Sequence, residues 1–327
     1  MNYLVRLSIF LLIFALQHKA QAWGFYSHKL INRVAVFSLP PEMFGFYKAN
    51  IEYLTEHAVD ADKRRYSDSL EAPRHYLDLD HYEAMLPVDS VPRFWKDAVS
   101  KFTEDTLRAY GIVPWHINVM YHRLVEAMKN KDKERILKLS ADIGHYFADA
   151  HVPLHASINY NGQLTNQHGI HGFWESRLPE LYSDDYDLFV GKADYIQNVQ
   201  SAAWQATEGS FAALDSVLIF ERTLNSKFDS DKKYSYEQKG ANQVKVYSKE
   251  YSARYNKMLD GQVERRIRAS IAAVADIWYT AWVDAGQPDL NALLDKAPEK
   301  IKDEDRKQKV DEEQKLLSEQ RMIGRQE

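Results

Sequence analysis

Cysteine is absent from the 327 residues. That absence excludes disulfides as a source of stability, a thiol nucleophile and a lipid-modified N-terminal cysteine, and it leaves only His, Asp, Glu and backbone atoms as metal ligands. Long apolar runs are equally scarce. The most apolar stretch, Leu7 to Leu16, covers ten residues, well short of the roughly 20 needed to span a bilayer. Charge of one sign is missing too: 42 Lys and Arg stand against 47 Asp and Glu, a net charge of −5. Such a balance exerts no global pull on nucleic acid or anionic lipid, so any such partner would have to be held locally. There is no G-x-S-x-G elbow, no glycine-rich phosphate loop, no internal repeat and no alternating strand series.

The N-terminus reads as a secretory signal peptide, residues 1–22. Arg6 precedes the apolar run, and "AQA" at 20–22 supplies the small-x-small cleavage pattern. Cleavage after Ala22 leaves 305 of the 327 residues, beginning at Trp23, and the loss of Arg6 and Lys19 takes the net charge from −5 to −7. The expected destination is secreted or periplasmic, with no membrane span after processing. Nothing in the sequence points to a protein partner.

Apolar residues then recur at helical spacing almost throughout. Ile117, Tyr121, Leu124 and Met128 form one stripe, and Val263, Ile267, Ile271, Val274, Trp278 and Trp282 another. Turn signals fall at "LPPE" (39–42), "YGIVP" (110–114) and "AGQPD" (285–289). The fold expected is all-α, a single helical domain over 23–296, with residues 222–250 a polar loop or excursion. The charged tail, 297–327, is expected to be a solvated helix or disordered.

What the sequence has in quantity is imidazole beside carboxylate. In "GHYFADAHVPLH" (144–155), His145 and Asp149 are four apart on a helix expected to begin near Lys131, close enough on one face to grip a common ion. Pro153 should end that helix near Val152 and free His155 to turn elsewhere. "HGFWE" repeats the device with His171 and Glu175. Upstream stand His75 in "EAPRHYLDLDHY", Asp60 and Asp62 in "HAVDADKRR", and His28 five residues after Trp23, whose free amino group and carbonyl oxygen can chelate a metal once exposed. One His-x-x-x-Asp pair is more often a hydrogen-bonded surface pair than a site. Five histidines and three carboxylates in paired spacings point to divalent ions with N and O ligands, for which zinc fits best. His57, His116, His122 and His168 are read as ordinary, and Lys63, Arg64 and Arg65 as a solvated basic turn.

These residues, in the order W-x4-H, A-x-D, H-[FY]-x-D, H-x3-D-x5-H and H-x3-[DE], resemble the zinc-dependent phospholipase C and single-strand-specific nuclease superfamily, over most of residues 23–285. The resemblance implies a secreted all-helical enzyme with three zinc ions. One ion would take Asp60, His75, His145 and Asp149; a second His155, His171 and Glu175; the third the Trp23 amino nitrogen and carbonyl oxygen, His28 and Asp149. Asp149 would bridge two ions, and Asp62 is the alternative to Asp60.

Paired divalent ions can hold a hydroxide for in-line attack on phosphorus and neutralise the departing charge. The expected reaction is phosphodiester hydrolysis without a covalent intermediate, with Asp60 and Asp149 catalytic and Tyr76, next to His75, a substrate-stacking residue. Signals about substrate are mixed. The tight Trp23 to His28 spacing matches the nucleases, whereas "LHA" at 154–156, Glu175 and the short gap from His155 to His171 look more like the phospholipases. The balance leans to phospholipase C type lipid hydrolysis, with a single-strand-specific nuclease acting on nucleic acid as the alternative. A non-catalytic protein stapled by structural zinc is the alternative of another class.

Overall fold

A computed structural model describes residues 24–239 and 242–294. The signal segment 1–22, Trp23 and the charged tail 297–327 lie outside the described residues. Helix dominates, as the apolar periodicity predicts. The principal helices are α1 (Phe25–Ala35), α2 (Val113–Lys129), α3 (Lys133–Asp149), α4 (Val199–Asn225), α5 (Lys249–Leu259) and α6 (Gln262–Asp284), joined by shorter helical turns.

Local chemistry marks their ends. The side chains of Asp132, Asn198 and Ser248 accept backbone N–H bonds from Arg135, Ser201 and Tyr251, capping α3, α4 and α5. This satisfies donors that a helix start otherwise leaves unpaired. The α-helical part of α3 ends at Asp149, a turn earlier than Pro153 alone implies. Val152 is extended, the geometry the following proline favours.

Helix α3 is the centre of the fold. Every residue from Leu139 to Asp149 is buried, so this part of the helix is surrounded on all sides, whereas Glu134, Arg135 and Lys138 in its first turns are exposed. It packs against α1, α2 and α6. Both expected stripes are buried in one continuous core, on α2 and α6 respectively. Gly144 lets α1 approach closely: a Cβ there would lie 2.1 Å from Asn32 Oδ1. The Asn32 amide donates to the Ala141 carbonyl at 3.2 Å. On the far side, Trp278 of α6 donates its indole N–H to the Ser140 carbonyl at 3.0 Å.

Residues 222–250 are not a loop throughout. Helix α4 runs to Asn225, and an antiparallel hairpin follows, β1 (Tyr234–Lys239) with β2 (Asn242–Tyr247), registered Tyr234 to Tyr247. The hairpin is held by Arg177, which donates to the Tyr247 carbonyl at 3.2 Å and to Glu237 at 2.9 Å. Its pairing is decided by these tertiary partners, because an isolated two-stranded hairpin is marginal in water. Among the described residues no helix is long and apolar enough to cross a membrane.

Candidate metal centre

Helix α3 delivers His145 and Asp149 from its last turn, and the chain beyond it brings His155 back on a short 3₁₀ turn. His28 comes from α1, Asp62 from a short helix at Asp60–Arg64, and His75 from the end of a turn at Ala72–Arg74. His171 and Glu175 come from a helix that widens into a π-helical turn at Phe173–Arg177. Such widened turns recur at functional sites. Three buried donor groups result: Asp62, His75 and His145; His28, His145 and Asp149; and His155, His171 and Glu175.

The first group, with Asp149 beside its two imidazoles, has the dimensions of an ion site. Asp149 Oδ2 lies 2.9 Å from His75 Nδ1 and 3.1 Å from His145 Nε2. The two imidazole nitrogens are 3.0 Å apart, and Asp62 Oδ1 stands 3.7 and 3.6 Å from them. A tetrahedron with metal–ligand bonds of about 2.0–2.2 Å has edges of about 3.3–3.6 Å, which these separations bracket. Asp149 turns its other oxygen to His28 Nε2, at 3.3 Å. In the third group, Glu175 Oε2 is 2.6 Å from His171 Nε2 and 3.6 Å from His155 Nε2.

Backbone carbonyls set the tautomers. The Nδ1–H of His145 donates to Ala58 (2.8 Å), that of His155 to His75 (2.6 Å) and that of His171 to Tyr160 (3.2 Å). Each ring thereby presents an Nε2 lone pair to its cluster, the outer-shell arrangement typical of metal-binding imidazole. His28 Nδ1 and His75 Nε2 are buried without a hydrogen-bond partner, a cost that folding usually avoids. The donors present thus fit divalent ions.

Electrostatics agree with the geometry. Burial pushes the Asp149 carboxyl up, but His145, His155 and His28 overcome it and hold it well below the usual carboxylate range. Glu175 is likewise opposed by burial yet drawn down to about 2 by His171 and His155. For His145 burial lowers the pKa, while Asp149 and Asp62 together lift it to about 9. A buried centre of this kind needs positive charge, supplied by protons or by metal ions.

The two candidate aspartates separate clearly. Asp62 faces the cluster, whereas Asp60 is paired with His57 Nδ1 at 2.5 Å and lies 3.6 Å from Lys63, with its side chain about a third exposed. Asp60 is therefore not among the clustered donors, and Asp62 occupies its expected place. Tyr76 is buried, its hydroxyl donating to the Ala109 carbonyl at 3.4 Å, so its ring offers no open face for stacking. Arg64 and Arg65 do not form a solvated turn: Arg64 donates to Asp142 and Tyr146, and Arg65 is buried 3.8 Å from Asp62. His151 donates to its own helix at Phe147 and stays outside all three groups.

One partner escaped the sequence reading. Glu71, fully buried, lies 3.6 Å from His75 Nε2 and accepts the Tyr146 hydroxyl. Its only signal in the sequence is the four-residue spacing to His75. Gly24, the first described residue, is pressed against the third group: a Cβ there would fall 2.3 Å from Glu175 Oε1.

Fold and site together define a mostly helical protein whose central helix anchors three adjoining His and carboxylate groups able to hold metal ions. No protein-family model and no curated protein matches the chain.

Proposed function

We propose that this chain is a metal-dependent phosphodiester hydrolase of the phospholipase C and single-strand nuclease type, including that type's helical fold and three zinc ions. The observation that supports it most is the double-facing Asp149, with one oxygen toward His75 and His145 and the other toward His28. A carboxylate so placed could be shared by two ions, and a pair of ions is what two-metal hydrolysis requires. When bound, such ions supply an acidified water and positive charge for the phosphate oxygens and the departing group.

The chain's own residues supply position. Asp62, His75, His145 and Asp149 would hold the first ion, and His155, His171 and Glu175 the second. His28 and Asp149 would hold the third with Trp23, which lies outside the described residues. Asp62 takes over the catalytic role expected of Asp60, because it is the aspartate that faces the cluster. Asp149 is the other residue proposed to act in catalysis.

The motif spacings lean toward phospholipid as substrate, and the buried ring of Tyr76 adds no support for base stacking. The nuclease reading keeps the tight Trp23 to His28 spacing in its favour. A structural role has one observation of its own: Asp149, beside His75 and His145, could add a fourth donor to the group of Asp62, His75 and His145, and closed four-ligand sites are the structural kind, whereas His155, His171 and Glu175 leave a position open.

Elemental analysis of the secreted, N-terminally sequenced protein, assayed on phosphatidylcholine and on single-stranded DNA, tests these readings together. Near three zinc ions with one substrate cleaved supports hydrolysis and selects the branch. Zinc without cleavage of either substrate supports the structural role. A zinc-replete protein that carries no metal overturns the proposal.

A further inference from the structure

A second recess lies outside the metal centre. It is a cleft of about 340 Å³ lined by Arg74, Arg108 and Arg123 together with Trp95, Trp115 and His116, and among the described residues no carboxylate side chain lines it. Its volume falls at the lower end of the range for small-molecule sites, about 300–1,000 Å³. The ring edge of His116 meets Tyr146 at 4.6 Å, and Tyr146 meets the rings of His75 and His145 at 5.4 and 5.7 Å. One layer of side chains therefore divides the cleft from the metal ligands.

The guanidinium groups are differently placed. Arg74 is anchored by Glu71 and by Asp68 at 3.4 Å, and Arg108 by Glu104 at 2.8 Å, so both are held in position. Arg123 has no carboxylate partner among the described residues; its nearest polar contact is the Met120 sulfur at 4.0 Å. Trp115 is 3% exposed and His116 9%, and each carries a buried ring nitrogen, Nε1 and Nε2, without a hydrogen-bond partner. Phe94, also lining the cleft, is 70% exposed.

We propose that this cleft binds a small aromatic oxyanion, a planar ring bearing a phosphate-, phosphonate- or carboxylate-type group. Guanidinium forks match the paired oxygens of such an anion, and Arg123 has its donors to spare. The faces of Trp95 and Phe94 suit the planar ring, which a bare inorganic ion would leave unused. The inference does not depend on the chemistry of the metal centre.

The test is calorimetric titration of the full-length protein with phenylphosphonate, with and without a chelator, beside inorganic phosphate as the ring-free control. Phenylphosphonate is expected to bind more tightly than phosphate and to keep its site after chelation. Arg123→Ala, on an exposed helix face, should weaken it about tenfold or more, the loss of a charge-assisted contact. Phe94→Ala should weaken it less, and Arg123→Lys should recover part of the affinity. Metal content should be the same in all three variants. The proposal is overturned if no binding is seen at millimolar ligand, or if Arg123→Ala leaves the affinity unchanged. It is also overturned if binding disappears with the chelator, which would place the phosphonate on the metal ions, or if inorganic phosphate binds equally well.

Discussion

Exchanging Asp62 for Asn, with Asp60→Asn as its control, tests the metal centre at the residue pair where sequence and structure diverge most. Asp62 Oδ1 stands 3.7 Å from His75 Nδ1 and 3.6 Å from His145 Nε2 and forms a buried three-donor group with them. An amide oxygen at that place is neutral and a weaker ligand. Removing a group that merely hydrogen-bonds a metal ligand already costs about 10- to 100-fold in metal affinity, so replacing a donor that itself faces the ion should cost at least about 100-fold. At zinc concentrations that saturate the wild type, a 100-fold loss removes about 2.7 kcal/mol of metal-linked stability. For a chain of this size that corresponds to a fall in Tm of about 5 °C. Asp60, paired at the surface with His57 and Lys63, should contribute no more than the roughly 0.2–1 kcal/mol of an exposed ion pair, and no metal. The assay is zinc content after dialysis against a zinc buffer, with thermal unfolding in parallel. A D60N protein depleted of zinc beside a D62N protein that retains it would refute the assignment of Asp62.

Three further outcomes follow from the same geometry. Gly24→Ala should displace Glu175, whose Oε1 would lie 2.3 Å from the new Cβ, and so lower zinc content by elemental analysis; an unchanged content would count against the closeness of Gly24 to the third group. In chelated protein, Asp149 and Asp62 overcome burial and raise His145 to about 9, so its stabilising contribution is complete below its unfolded pKa of about 6.5 and is lost as pH rises through about 9. Metal binding instead requires deprotonated ligands and strengthens over that window; melting curves of loaded and chelated protein should therefore diverge with pH, and parallel curves would contradict this. Asp276 is raised by burial to about 6 while accepting the Asp194 backbone N–H at 2.7 Å. An acid held more protonated in the fold costs stability as pH climbs toward and past 6. Asp276→Asn should thus match the wild-type Tm near pH 4 and exceed it at pH 7.5, a difference that a pH-independent offset would rule out.

Much of this protein is legible in its sequence because it depends on neighbours along the chain. The stripes on α2 and α6 are local periodicities, and they mark the buried faces. The pairs His145 with Asp149 and His171 with Glu175 are likewise local, since residues four apart share a helix face whatever surrounds the helix. The hairpin at residues 234–247 escaped notice because its strands are polar and are fixed by Arg177 from a distant turn.

The choice between Asp60 and Asp62 could not be local. Residues two apart on a helix point about 200° away from one another, so one must face in and the other out. Which one does so is set by how the short helix at Asp60–Arg64 seats against α3. The surroundings of Tyr76 and Arg64 are non-local in the same way: their partners are Ala109 for the one and Asp142 and Tyr146 for the other, far along the chain. The sequence alone determined a helical chain carrying paired imidazole and carboxylate side chains. Tertiary packing decided which carboxylate joins them, which aromatic rings are closed to solvent, and that three arginines converge on a separate cleft, because each of these is a relation between segments that meet only in the fold.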